Sequence, residues 1–156
     1  MGKYPEEAVA MLASIAAATE ARRPRALRQD VWALDRPSLL PPATEAAARV
    51  VEHALETVPC AALFVPTRSG ASARLLSRFN PAVWIVALSP DRAACQGLAF
   101  SYGVHPLEAA EPEDWKGWAR RWLRENGIEG RIAMLAAGPS ERNPEANHRI
   151  EFMKVG

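Results

Sequence analysis

The stretch Phe64-Val65-Pro66-Thr67-Arg68-Ser69-Gly70-Ala71-Ser72-Ala73-Arg74-Leu75-Leu76-Ser77-Arg78-Phe79-Asn80-Pro81 decides how this chain is read. The apolar run 61–65 has the length and composition of a buried strand. It breaks into a hydroxyl-rich turn with one glycine, Gly70, and a helix is predicted to begin near Ala71. That order puts the side chains of Thr67, Ser69 and Ser72, with several unpaired backbone N–H groups, at a helix N-terminus. Free N–H groups and the helix dipole both favour negative charge there. Arg68 adds a cation whose planar fork matches a phosphate. The chemistry suggested is phosphate holding rather than phosphate transfer.

Outward from this turn the chain alternates strands and helices. A second strand is predicted over 83–88, followed by a helix with Ser89 as cap ahead of Pro90 and Asp91. A third short strand falls at 104–107, and a helix at 113–126 is stopped by Gly127. A strand at 131–136, a polar loop and a last strand at 149–155 complete the chain, with Ile150, Phe152 and Val155 as the clearer apolar positions of that last strand. Upstream, 44–58 reads as a helix whose buried stripe holds Ala47, Val50, Val51, Ala54, Leu55 and Val58. Residues 4–21 form another, with Ala8, Met11, Leu12, Ile15 and Ala18 on one face and Pro5 near its start. Between these two helices lies a basic stretch broken by Pro24, Pro37, Pro41 and Pro42, with a short helical piece near 27–34. The pattern calls for an α/β fold with a mostly parallel sheet covered on both faces.

Composition narrows the function classes. With 156 residues there is room for one domain and a sizeable core. A net charge of +1 gives no reason to expect nucleic acid or an anionic membrane as partner. No apolar run approaches a membrane span, the N-terminus lacks a signal-peptide layout, and a cytoplasmic protein is the simplest reading. Cys60 and Cys95 read as reduced core or helix-end residues. His53, His105 and His148 lack neighbours at metal-ligand spacing, so no metal site is expected. No nucleophile–base–orienter set is legible, and no residue is assigned a catalytic role.

The motif Thr67-Arg68-Ser69-Gly70-x-Ser72-Ala73-Arg74-Leu75-Leu76-Ser77-Arg78-Phe79-x-Pro81 resembles the first strand–turn–helix of the pyruvate kinase C-terminal domain. The likeness continues through Ile85-Val86-Ala87-Leu88-Ser89-Pro90-Asp91 and Ser101-Tyr102-Gly103-Val104-His105-Pro106. Upstream, Pro42-Ala43-Thr44-Glu45-Ala46 is similar to the start of that domain's first helix, and Gly2-Lys3-Tyr4-Pro5-Glu6-Glu7-Ala8-Val9 to the helix that closes the family's catalytic barrel. The resemblance implies a three-layer fold with a five-stranded sheet in the order 3-2-1-4-5, the last strand antiparallel. It divides the chain into a barrel-helix remnant (1–22), a Pro/Arg-rich connector (23–42) and the C-terminal-like domain (43–156). Ligands then belong at the carboxyl ends of strands 1 and 4, where the strand order reverses. Two loops meet there, 67–72 and 137–148.

In the family those loops build an allosteric pocket for a phosphorylated sugar, and Thr67, Arg68, Ser69, Gly70 and Ser72 match its phosphate turn position by position. A plainer alternative stays open, in which Ser69 and Ser72 only cap the helix and Arg68 is solvated. The second loop is Gly138-Pro139-Ser140-Glu141-Arg142-Asn143-Pro144-Glu145-Ala146-Asn147-His148, with Gly138, Ser140, Arg142 and Asn147 as weaker candidates. Glu141 and Glu145 would repel a second phosphate, so a phosphorylated sugar or nucleoside monophosphate is the expected partner rather than a bisphosphate. Trp115, Trp118 and Trp122 recur at helical spacing among Lys116, Arg120, Arg121 and Arg124, either as a stacking platform for a ligand ring or as packing.

The family's substrate-binding arginine, catalytic lysine and acidic metal ligands belong to its barrel, and no residue here matches them. The chain alone is therefore expected not to transfer phosphate from phosphoenolpyruvate to ADP, and to need no cofactor, magnesium and potassium being expected only for the whole family enzyme. The leading expectation is a regulatory effector-binding and subunit-contact domain of a pyruvate kinase. A stand-alone sensor of a phosphometabolite and an autonomous small enzyme are the competing readings. The apolar face of the 4–21 helix, without barrel neighbours, implies self-association, with a dimer expected, or docking across the domain.

Overall fold

The computed structural model describes residues 4–22, 42–138 and 148–156. The helical piece expected near 27–34 lies outside them, as do Ser140, Arg142 and Asn147. The chain divides into two compact units, 1–37 and 38–156. In the first, helix α1 (Pro5–Arg22) carries Glu6 and Glu7 in its first turn, where carboxylates complement the dipole. Its apolar residues Val9, Met11, Leu12 and Ile15 are all exposed.

The second unit opens with α2 (Pro42–Thr57) and β1 (Cys60–Pro66), followed by α3 (Ala71–Ser77) and β2 (Trp84–Ser89). It continues with α4 (Arg92–Leu98), β3 (Val104–Glu108) and α5 (Trp115–Glu125), and ends with β4 (Ile132–Ala137) and β5 (Arg149–Lys154). The sheet order is β3-β2-β1-β4-β5. β1 pairs in parallel with both β2 and β4, β2 in parallel with β3, and β5 runs antiparallel to β4. This is the five-stranded α/β topology that the resemblance implied. Right-handed crossovers from β1 to β2 to β3 set α3 and α4 on one face, and the return from β3 to β4 sets α5 on the other.

The strand sequences follow from that double covering. Ala62, Leu63, Phe64 and Val65 of β1 and Ile85, Val86, Ala87 and Leu88 of β2 are buried whichever face they point to. On the α5 face, Phe64, Val86, Leu88, Ala133 and Leu135 pack with Ala119, Leu123, Met153 and Val155. The tryptophans belong to this core. Phe64 lies 6.5, 5.6 and 5.8 Å, centroid to centroid, from Trp115, Trp118 and Trp122. With Trp115 and Trp122 buried, the packing reading of the stripe holds and the stacking platform does not.

Three local expectations are corrected. Val50 of α2 is exposed, while Ala48 and Val51 are buried, because Val50 sits about 100° around the helix from Val51. In β5 Met153 is buried and Phe152 half exposed, and Val155, just past the strand, is buried as its apolar character suggested, so the inward set has the other parity from Ile150 and Phe152. Helix α4 is capped by Asp91, whose Oδ1 accepts from the Ala93 N–H at 2.8 Å. Ser89 instead is fully buried. Its hydroxyl donates to the Arg68 carbonyl and accepts from the Asp91 N–H, both at 3.1 Å. Among the described residues no helix is long and apolar enough to cross a membrane.

Candidate functional site

The strand order reverses between β1 and β4, so the carboxyl ends of these two strands bound a crevice. From β1 the chain enters the 67–72 turn. Its first residue is tied to the neighbouring strand end by the Thr67 N–H, which donates to the Leu88 carbonyl at 2.8 Å. The Arg68 carbonyl is held by the Ser89 hydroxyl. The turn closes on itself through the Gly70 N–H, which donates to Thr67 Oγ1 at 3.1 Å. Thr67 thus uses one lone pair inside the turn, a role the sequence did not suggest.

Gly70 is the N-cap of α3, with φ 78° and ψ 0°, and no side chain caps the helix. The capping role considered for Ser69 and Ser72 is therefore filled by neither. The first helical bond runs from the Arg74 N–H to the Gly70 carbonyl at 3.0 Å. The N–H groups of Ala71, Ser72 and Ala73 precede that ladder and have no helical acceptor. Arg68 and Ser69 are exposed beside them, and Thr67 and Ser72 are half buried. Arg74 reaches back over the turn, its Nη2 donating to the Ser69 carbonyl at 2.7 Å. The arrangement gives an open end of α3 with two hydroxyls and two guanidinium groups around it.

Ser72 also faces a cleft between α2 and α3, closed by the end of β4 and the start of β5. The space is about 380 Å³ and open to solvent. Val51, Leu75 and Leu76 give it apolar walls, and Thr44, His148 and Arg149 give it a polar rim. Thr44 Oγ1 and His148 Nε2 are 3.4 Å apart. Gly138, a weaker candidate from the second loop, lies on the cleft with the His148 ring 3.6 Å from where its Cβ would be. Ser140, Arg142 and Asn147 fall outside the described residues. The turn and the cleft thus share one residue, Ser72.

Sequence reasoning missed Thr44 and His148, which are 104 positions apart and carry no shared motif. Among the described residues no group of three or more His, Cys, Asp and Glu could hold a metal ion, and no metal-dependent step is assigned to them. Burial pushes the Cys60 thiol above its ordinary value. The Cys95 thiol is likewise raised, by burial first and then by the charges of Glu108 and Asp91, against a weak contact with the Ser89 carbonyl. Raised thiols are poor nucleophiles near neutral pH, so neither cysteine adds a reactive group.

Comparison with known proteins gives a consistent picture. Residues 45–147 match the family model described as "Pyruvate kinase, alpha/beta domain". A pyruvate kinase of Thermococcus litoralis is 42% identical over 111 residues, 69% of this chain and 23% of that protein. One from Methylorubrum extorquens is 27% identical over 159 residues, 99% of this chain and 33% of that protein. The chain therefore spans about a quarter to a third of these relatives. Among solved structures, Cryptosporidium parvum pyruvate kinase in complex with ADP shares the fold with a TM-score of 0.76 at 20% identity, covering 99% of this chain and 32% of that one. With its sheet order, its switch-point turn and a family match over most of its length, the chain belongs to the pyruvate kinase alpha/beta domain family.

Proposed function

We propose that this chain is the regulatory effector-binding and subunit-contact domain of a pyruvate kinase of glycolysis, acting in the cytoplasm. The 67–72 turn holds the phosphate of a phosphorylated sugar or nucleoside monophosphate. One observation carries this reading. At the switch point, α3 begins with unpartnered N–H groups and no side-chain cap, next to the exposed Arg68 and Ser69. Backbone donors and an arginine fork suit a phosphate's oxygens, and they hold it without offering a nucleophile or base to transfer it. Binding the effector more tightly in one state of the whole enzyme would then bias that enzyme between states. In this proposal magnesium and potassium act elsewhere in the whole enzyme and not in this domain.

The test is calorimetric titration of the purified chain with phosphorylated sugars and AMP, with the Ser69→Ala/Ser72→Ala double variant as control. Saturable binding that weakens about tenfold or more in the variant is the expected result, the loss of one or two charge-assisted hydrogen bonds. Absence of heat with every ligand, or equal binding by the variant, would refute a phosphate site at this turn.

A further inference from the structure

The inward-facing tryptophans of α5 leave its outer face to be explained. Within Trp115–Glu125 four cations, Lys116, Arg120, Arg121 and Arg124, stand against one carboxylate, Glu125. All four cations are exposed. The excess is local, because the chain as a whole holds 19 Lys and Arg against 18 Asp and Glu. Lys116, Arg120 and Arg124 are four residues apart and form one row, rising about 6 Å per step along the helix. Like charges at this spacing repel. Among the described residues none of the three makes an ion pair. The helix dipole accounts for Arg124 in the last turn, but Lys116 lies in the first turn, where a cation is unfavourable. Arg120 is held in place, its Nε donating to the Val155 carbonyl at 3.0 Å. The row thus works against its own helix and meets no acid within the fold, the kind of local conflict that marks a functional surface.

We infer that this face of α5 docks an acidic helix of a partner protein, one whose carboxylates recur every fourth residue. The complement is one of charge and spacing, since such a helix sets its carboxylates at the same rise of about 6 Å. Arginine forks take carboxylates in paired hydrogen bonds, and Arg clusters read acidic segments in this way. Two other anionic partners fit less well. Single-stranded nucleic acid stacks its bases on exposed aromatic rings, whereas Trp115 and Trp122 are buried and Trp118 stands edge-on to Phe64 at 5.6 Å. A helix lying on a membrane turns its apolar side chains to the lipid, and those of α5 pack against the sheet. This docking face is independent of the 67–72 turn.

The experiment measures binding of the whole chain to a fluorescent alanine-based helix of about 20 residues with glutamate at every fourth position, and to its glutamine counterpart. The glutamate peptide is expected to bind at least about tenfold more tightly than the glutamine peptide, and to weaken as salt is raised. Lys116→Glu is the decisive variant. It should lose about tenfold in affinity for the glutamate peptide and yet melt about 2–5 °C higher, because the new carboxylate suits the first turn and attracts Arg120. Arg92→Gln, at an exposed cation of α4, should change neither property. Equal binding of the two peptides, or unaltered binding by Lys116→Glu, would overturn the docking face. So would tighter binding of a single-stranded oligonucleotide or of phosphatidylserine vesicles, which would assign the row to those surfaces. Salt-sensitive self-association abolished by Lys116→Glu, without peptide binding, would give the face to a second copy instead. A Lys116→Glu chain no more stable than the native one would show that the row stores no repulsion and would remove the ground for an external acid.

Discussion

Gly70 carries two structural demands that no other residue type meets. Its φ of 78° lies in the left-handed region, and a Cβ there would come within 3.0 Å of Leu98 Cγ and 2.9 Å of an Arg74 guanidinium nitrogen. Gly70→Ala should therefore destabilise the fold by about 1–3 kcal/mol, from left-handed strain and displacement of Leu98. Equilibrium urea unfolding would show it as a lowered midpoint at unchanged slope, and an unshifted midpoint would contradict the account. Cys95 gives a pH-dependent effect. Its folded-state pKa is raised from 9.0, chiefly by burial. Below 9.0 both states hold the proton and the contribution is whole. As pH rises past that value the unfolded chain releases a proton that the folded chain retains, so stability falls. In Cys95→Ala the decline of the unfolding midpoint across the alkaline range should be shallower than in the native chain, with Cys60 accounting for part of what is left. An unaltered slope would remove Cys95 as its source.

Helix α5 shows how one cap supports a packed element. Asp114 Oδ1 accepts from the Gly117 N–H at 3.0 Å, fixing the first turn from which Trp115 and Trp118 project. Asp114→Ala should cost about 1 kcal/mol of stability, measured by thermal or urea unfolding, and a neutral result would mean that packing alone starts the helix. Elements of this kind were legible in the sequence to different depths. β1, β2 and β4 were readable because a strand buried on both faces is a continuous apolar run, which needs no choice of parity. β5 lies at the sheet edge, where apolar Ile150 and Phe152 compete with Met153 and Val155, and only the packing of α5 decides which pair turns inward. Likewise Val50 looked like core by composition and failed by angle. At the turn, residue types announced an anion site, yet the hydrogen bond that takes Thr67 Oγ1 to the Gly70 N–H could not be read from them. Thr44 and His148 left no local signal, since only the assembled fold brings these two distant positions together.

At the scale of the whole chain the unresolved force is apolar exposure on α1. Met11, Leu12 and Ile15, within about 100° of one another around α1, are each between 56% and 67% exposed, a patch of large side chains that water does not favour. A free helix of this size is marginal in water, so its persistence requires a covering surface. A second copy of the chain can provide one through the same face, since a two-fold contact matches each apolar patch with its own counterpart. This predicts that the chain sediments as a dimer and that removal of residues 1–22 yields a monomer, with thermal melting showing whether α1 also supports the sheet unit. Oligomers that persist unchanged without residues 1–22 would move the contact to the sheet unit. There Val50, Trp84, Phe100, Tyr102 and Phe152 are the exposed large apolar side chains, among the described residues, that could make it. A chain monomeric with and without residues 1–22 would contradict the dimer and leave the exposed side chains of α1 uncovered in solution.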